Sequence, residues 1–357
     1  MLNYIVRSAT DWLFRRRSPG YGLVRLGVAL LLALLGGLSL GFQVPTKDGP
    51  LIFSWSTADG TAEAISWTIA FVAISLIVAG LLHIRAEWRR QERAKIIVIE
   101  ARGLRDWNGE PLAEAIPATI VGRADPLVHN FRQGLIDGHI VDPSVSLQKL
   151  SSLPDDIARR TEGLDRKDIR FVVGGLAPVP LLFLLGLIVD DEGSTTLMDW
   201  DRHARRWRTL DQHDDGKRFE VTGLDRVPTG ARRVALCVSA SYDILNSDVA
   251  TVEPETPVVR LDLAGRGTDA HWSEQKQQAL GKQFLDVVIG LAARGVKEIA
   301  LFVAAPASLA IRFGSLYDKR NLPFLEVNQY ERGDPKVYPW AIGMPVGGLS
   351  KAELVRR

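Results

Sequence analysis

The chain has 357 residues, 24% of them charged and 46% hydrophobic, with a formal net charge of +2. That length allows one to three domains, and so small a charge excludes bulk binding to duplex DNA or RNA. The single cysteine, Cys237, excludes a disulfide framework and a four-cysteine zinc site; within the apolar run VALCVSA it reads as a buried small hydrophobe.

Residues 1–20 form a basic N-terminal segment, with Arg15, Arg16 and Arg17 in a row. Residues 21–42 (YGLVRLGVALLLALLGGLSLGF) hold about 20 apolar positions, enough for a helix to cross a bilayer core. Arg25, near the start, is expected to snorkel to the interface. Within this span Gly36, Gly37 and Gly41 are small, and Gly37-x-x-x-Gly41 matches a close-packing motif of membrane helices. Residues 43–63 read as a short loop with one basic residue, Lys47. A second span covers 64–84, with Trp67 and Trp88 placed as interfacial anchors. A basic linker, 85–94, follows with Arg85, Arg89, Arg90 and Arg93. The positive-inside rule puts both termini on the cytoplasmic side and the loop outside. No span carries a charged ring, so a selective ion channel is not indicated.

The remainder reads as α/β. Buried-strand patterns occur at 94–101, 168–176, 195–201, 232–241, 256–264, 298–305 and 324–331. Residues 179–189 (VPLLFLLGLIV) are apolar but too short to span, and read as a helix inside a soluble core. Residues 273–293 read as an amphipathic helix that Gly295 ends. Residues 216–230, rich in turn formers, read as a junction. Strand–helix–strand order on both sides of it points to two related halves, 95–215 and 230–343, with no residue-level repeat and a tail at 344–357. Apolar strands separated by helices predict largely parallel sheets.

Ligands of open α/β sheets bind outside the carboxyl ends of the strands. Four strand ends carry small or turn residues: Ala101–Gly103, Gly174–Pro178, Ser239–Tyr242 and Ala305–Ser308. Small side chains admit a ligand to the backbone, and a following helix N-terminus attracts anions; turns alone use the same residues. Gly265–Ala270 matches G-x-G-x-x-A after a strand and before a helix, but the next strand lacks the acidic residue a dinucleotide site requires. WDRHARRWR (200–208) sets basic residues between two tryptophans, as a stacking site or as a surface strand with a tryptophan on the core. Asp190, Asp191 and Glu192 read equally as a solvated helix end. No phosphate-loop, zinc-hydrolase or nucleophile-elbow motif occurs, and the six histidines are scattered. No catalytic or metal site is expected.

The stretch KEIALFVAAPASLAIRFGSLYDKRNLPFLEVNQYE…YPWAI resembles the end of SAVED domains. The matching positions are Phe302, Pro306, Gly314, Pro323, Gln329, Tyr330, Tyr338 and Pro339. VSASYDI and FVVGGLAPVPLLFLLG look similar to other parts of that domain, so the resemblance covers about 95–343. Two N-terminal spans match the membrane-effector arrangement. The resemblance implies two fused CARF-like, Rossmann-like halves. It implies binding of a cyclic di- or trinucleotide made by a cGAS/DncV-like nucleotidyltransferase in CBASS antiphage defence. It also implies ligand-driven homo-oligomerisation, disruption of the bacterial inner membrane and abortive infection, without enzyme activity or cofactor.

By position, Ser239, Ser241 and Tyr242 at one strand end and Pro306, Ala307 and Ser308 at the next are the expected ligand contacts. Arg102, Arg105 and Trp107 complete the pocket from the first half, and Arg312 neutralises phosphate. The alternatives are a membrane-anchored dinucleotide enzyme built on the Gly265 loop and a passive membrane scaffold with an α/β interaction domain.

Overall fold

The structure, a computed structural model, describes residues 19–35, 39–46, 49–56, 63–103, 109–131, 135–136, 139–140, 142–190, 194–331, 337–346 and 351–357. The chain divides into two compact units, Met1–Arg93 and Ala94–Arg357.

In the first unit, helix α1 (Pro19–Leu35) is followed by strands β1 (Ser39–Thr46) and β2 (Gly49–Ser56), which pair antiparallel, and then by helix α2 (Glu63–Arg93). The two helices pack antiparallel through small residues. A Cβ on Gly20 would lie 2.7 Å from the Gly80 carbonyl oxygen, and one on Gly27 would lie 2.6 Å from that of Ala73. Gly20 and Gly27 are two heptad-spaced points of close approach, and larger side chains there would force the helices apart.

Three expectations are corrected. The first apolar stretch is helical over Pro19–Leu35, and residues 39–42 belong to β1, so the end of the expected span and the described part of the expected loop up to Ser56 form a β-hairpin. Gly41 therefore pairs with Ser54 in that hairpin and is a strand residue; Gly36 and Gly37 lie outside the described residues. The basic segment 85–93 is no linker: α2 runs through it, because no Gly or Pro interrupts its helix formers. Among the described residues one helix, over Ser66–Arg89, is long and apolar enough to cross a membrane. The 17 residues of α1 rise about 25 Å, at the lower limit of a bilayer-crossing helix.

The second unit holds two main sheets. The first is built from β3 (Lys95–Arg102), β4 (Arg123–Asn130), β7 (Ile169–Leu176), β8 (Ser194–Asp201) and β9 (Arg206–Thr209), in the order β4-β3-β7-β8-β9. Between β4 and β7 lie a two-residue ladder, β5 (Leu135–Ile136) with β6 (His139–Ile140), and helices α3 (Pro143–Ser151) and α4 (Leu153–Thr161). Helix α5 (Val179–Val189) joins β7 to β8 and is almost wholly buried, as its apolar run demands. The second sheet has the order β10-β12-β11-β13-β14-β15-β16. Its strands are β10 (Phe219–Thr222), β11 (Arg233–Ser239), β12 (Val258–Leu263), β13 (Glu298–Ala304), β14 (Phe324–Gln329), β15 (Trp340–Gly343) and β16 (Glu353–Arg356). Helices α6 (Asn246–Ala250), α7 (Glu274–Ala293) and α8 (Ala307–Ser315) connect its parallel strands. The expected junction contributes edge strand β10, and the expected tail contributes β16.

Four strands of each sheet run parallel, and an antiparallel strand follows the fourth. The order β4-β3-β7-β8-β9 thus recurs as β12-β11-β13-β14-β15. A residue-level repeat accompanies it, against the sequence expectation. Ala177-Pro178-x-x-Leu181-x4-Gly186 and Ala305-Pro306-x-x-Leu309-x4-Gly314 run from equivalent strand ends into α5 and α8. Those two helices pack against each other through the repeat's glycines. A Cβ on Gly186 would overlap the Ile311 carbonyl, and one on Gly314 would overlap the Phe183 carbonyl. The glycines let the helices touch backbone to backbone, which brings the carboxyl ends of the two sheets together. Phe183, Phe284 and Phe313 fill the core around this contact, with ring centroids of Phe284 and Phe313 4.7 Å apart.

Candidate ligand-binding site

A cavity of about 130 Å³ opens where strand ends from both sheets meet. From the first sheet come Leu176 and Ala177 after β7, and Asp199, Trp200, Arg202 and His203 at the β8–β9 turn. From the second come Ser241 and Tyr242 after β11, Thr268, Asp269, His271 and Trp272 after β12, and Ala305, Pro306 and Ala307 after β13.

Asp199 organises its floor. This buried carboxylate accepts the Ser308 backbone N–H at 2.9 Å through Oδ2 and the Trp200 N–H at 2.8 Å through Oδ1. The first turn of α8 is thus satisfied by an anion of the protein itself, as the partial positive charge of a helix N-terminus favours. The small residues Ala305 and Ala307 leave room for that carboxylate to arrive. The first half shows the counterpart: Gln329, at the end of β14, accepts the Val179 N–H at the start of α5 at 3.1 Å. Strand register makes Asp199 and Gln329 equivalent, since Leu197 pairs with Val173 and Val327 with Leu301. Each half therefore caps the other half's helix.

His271 Nε2 lies 3.3 Å from Asp199 Oδ2, close enough for an ion pair yet out of line for a hydrogen bond, and neither ring nitrogen has a hydrogen-bond partner among the described residues. The ring stacks on Trp272 at 4.3 Å between centroids, and the Arg208 guanidinium lies 5.0 Å over the Trp272 ring. Burial pushes the Asp199 carboxyl up. His271 and the Ser308 amide outweigh it and hold the carboxyl below its ordinary 3.8. At the rim, His203 faces Asp269 at 3.4 Å and Tyr242 is exposed.

The structure brings Ser241, Tyr242, Pro306 and Ala307 to the cavity. Ser308 lies beneath it, fully buried, its hydroxyl accepting the Gln277 amide at 2.7 Å. Ser239 is buried within β11. Arg102 is held by Glu100 at 2.7 and 2.9 Å at the end of β3, and is not in the cavity wall. Arg312 turns to Glu274 at 2.6 Å, so its charge is spent within the fold instead of facing the cavity. Arg105 and Trp107 lie outside the described residues. The 200–208 segment divides between the two readings given above: Trp207 packs in the core, while Trp200, Arg202 and His203 reach the cavity. The Gly265 loop lends Thr268 and Asp269, but α7 begins only at Glu274, capped by the Ser273 hydroxyl, so no glycine-rich turn opens a helix there. Burial pushes the Cys237 thiol up to about 12, leaving it inert.

The residues that sequence reasoning missed are Asp199, His271 and Trp272. His271 and Trp272 directly follow the glycine loop at a strand end, which was the available signal; Asp199 looked like one more alternating polar residue of β8.

Residues 153–344 match the model of the SMODS-associated and fused to various effectors sensor domain, SAVED. The chain belongs to the SAVED family. Residues 1–147 match the SAVED-fused 2TM effector domain, which points to membrane association of the first unit. That second match takes in β3 and β4, which belong to the sheet of the sensor unit. The SAVED chain is similar to the Acinetobacter baumannii Cap4 SAVED/CARF-domain containing receptor with 2'3'3'-cAAA, at 12% identity and TM-score 0.46, covering 79% of this chain and 58% of that one. It is similar to the same receptor with 3'3'3'-cAAA, at 13% identity and TM-score 0.47, with 79% and 59% covered. The chain thus spans under two thirds of those receptors' length. No curated protein matches it.

Proposed function

We propose that this SAVED protein is a membrane effector of CBASS antiphage defence that senses a cyclic oligonucleotide. The two sheets are read as CARF-like halves, with the SAVED domain on the cytoplasmic side of the bacterial inner membrane and both termini with it. The observation that carries the reading is the cavity at the meeting of both halves' strand ends, walled by aromatic rings and a buried imidazole with no hydrogen-bond partner among the described residues. At about 130 Å³ it is well below the ~300 Å³ of drug-sized pockets. It suits one base, with the rest of a cyclic di- or trinucleotide crossing the rim at Tyr242 and His203. Trp200 and Tyr242 offer stacking faces, and Arg202 and His203 offer charge to phosphate.

A ligand held by residues of both halves favours the arrangement in which they are aligned. Aligned sensor domains oligomerise, gather their helix pairs and breach the membrane, halting the infected cell. The source of the ligand is a cGAS/DncV-like nucleotidyltransferase, and no cofactor or catalytic step is required.

The test is dye release from proteoliposomes holding the full chain, on addition of cyclic di- and trinucleotides singly. Release triggered by one member, with matching growth in assembly size, is expected. Release independent of every member, or none with any, would leave the passive-scaffold reading in its place.

A further inference from the structure

The helix pair carries a charge where a bilayer would be least tolerant of it. Gly20 packs on Gly80 and Gly27 on Ala73. Arg25 lies five residues along α1 from Gly20, and Ser75 five residues back along α2 from Gly80, so the two share one depth. On α2 that depth is ten residues, about 15 Å, from Arg85, the nearest charged residue, and near the middle of the Ser66–Arg89 apolar stretch. Arg25 therefore lies six residues inside α1, level with Ser75 of α2. At 100° per residue it sits on the face of α1 turned away from α2, and it is exposed, with no side-chain ion pair or hydrogen bond among the described residues. Around it are leucine, valine and tyrosine faces that are exposed in the same way: Leu26, Val28, Leu32 and Tyr21.

We propose that this outward face of α1 docks against the outward face of α2 in a second copy of the chain, with Arg25 donating to the neighbour's Ser75 hydroxyl. The proposal rests on the membrane reading of the first unit. Three observations carry it. A cationic side chain at mid-depth is tolerated only when it meets polar groups or water. Gly22 and Ala29 bracket Arg25 on its face, exposed and seven residues apart, repeating the spacing of Gly20 and Gly27 on the inner face; a Cβ on Gly22 would meet nothing within 4 Å. The outward face of α2 bears Ser75, exposed, at the matching depth. Because all copies share one orientation in a bilayer, Arg25 of one copy is level with Ser75 of the next. The two faces lie on opposite sides of the helix pair, so the contact is head-to-tail and generates a ring or an open row, as heterologous interfaces do.

The experiment uses full-length chain in native membranes. The double variant Ala29→Cys/Phe71→Cys places thiols at one depth on the two outward faces and leaves Arg25 intact. Cys237 is buried and contributes no background. Oxidation after cyclic di- and trinucleotides are added singly is expected to give, with one of them, a ladder of dimers, trimers and higher species on a non-reducing gel. The control pair Val28→Cys/Val72→Cys, also exposed and level but about 100° round each helix, is expected to give at least tenfold less. Adding Arg25→Leu to the first pair is expected to reduce the ladder at least tenfold. A ladder equal to the control, or one that Arg25→Leu leaves unchanged, would overturn the proposal. Carbonate extraction of the same membranes separates the two failures: protein released by carbonate would overturn the membrane reading and the proposal with it, and retained protein without a ladder would overturn the proposal alone.

Discussion

Asp199, from the fourth strand of the first sheet, caps the helix that begins at Ser308 in the second half, with its Oδ2 2.9 Å from the Ser308 amide nitrogen. A strand end that looks open in the sequence is thus closed by the other half's carboxylate. The N-terminus of α8 is a structural joint, and the ligand-facing surface lies beside it, on His271, Trp272 and the β8–β9 turn.

Replacing Asp199 tests that joint. Asp199→Ala leaves the Ser308 and Trp200 amides without an acceptor and should cost about 3–5 kcal/mol; Asp199→Asn keeps an acceptor and should cost about 1–2 kcal/mol. The carboxyl's pKa is depressed in the fold, so its contribution is complete above the ordinary 3.8 and is lost as pH falls through the depressed value. Urea midpoints followed downward from neutral pH should therefore fall more steeply at acid pH for wild type than for Asp199→Asn. Parallel curves would show that the carboxylate is not the group being titrated.

His271 faces that carboxylate across the cavity floor. Its ring nitrogens have no hydrogen-bond partner among the described residues, but Nε2 lies 3.3 Å from the buried Asp199 carboxylate and helps hold it charged, so His271→Leu should lower thermal stability by about 1–3 kcal/mol. Affinity for the ligand should drop at least tenfold, the loss of one hydrogen bond of about 1.4 kcal/mol. A folded variant that loses stability but binds the ligand as wild type does would make His271 a structural residue only.

The helix contact between the halves depends on two glycines. Gly186→Ala and Gly314→Ala each place a methyl group on a backbone carbonyl, which α5 and α8 can relieve only by separating. Either should cost about 3 kcal/mol or more, and either should weaken ligand binding by moving the two strand-end clusters apart. Chemical denaturation alongside titration reads both effects.

At the other end of the second sheet, Arg233 holds Glu253 at 2.6 Å and Glu298 and Glu326 at 3.3 Å each, and Arg357 joins Glu326 and Glu253. Burial raises the Glu253 pKa, but the Arg233 hydrogen bonds more than offset it and hold the carboxyl low. Arg233→Ala strands buried carboxylates and should cost about 3–5 kcal/mol. Arg233→Met combined with Glu253→Leu should recover part of that loss in thermal melts, because an apolar pair removes both desolvated charges.

Hydropathy made the central strands and the buried α5 legible, since a strand covered on both faces is continuously apolar. Edge strands were not legible: β4 carries Arg123, Asp125 and Pro126, and an edge tolerates both charge and proline. The repeat escaped notice because two strands need only be apolar to occupy equivalent places. The shared residues are confined to the turn and the helix contact, at Ala177, Pro178, Leu181 and Gly186 and their counterparts. Of the candidate site, the strand-end positions Ser241, Tyr242, Pro306 and Ala307 were readable from position alone. The burial of Asp199 and its approach to His271 depend on contacts between halves more than 70 residues apart in sequence, which no local pattern encodes. Arg25 likewise reads as a helix-end residue until the register of Gly20 on Gly80 fixes its depth.

The measurement that bears most directly on the account is calorimetric titration of the full chain in nanodiscs with cyclic di- and trinucleotides, run on wild type and His271→Leu. Saturable binding of one member, weakened at least tenfold in the variant, is the predicted result. Absence of binding across the panel by folded protein, or binding that His271→Leu leaves untouched, would contradict it.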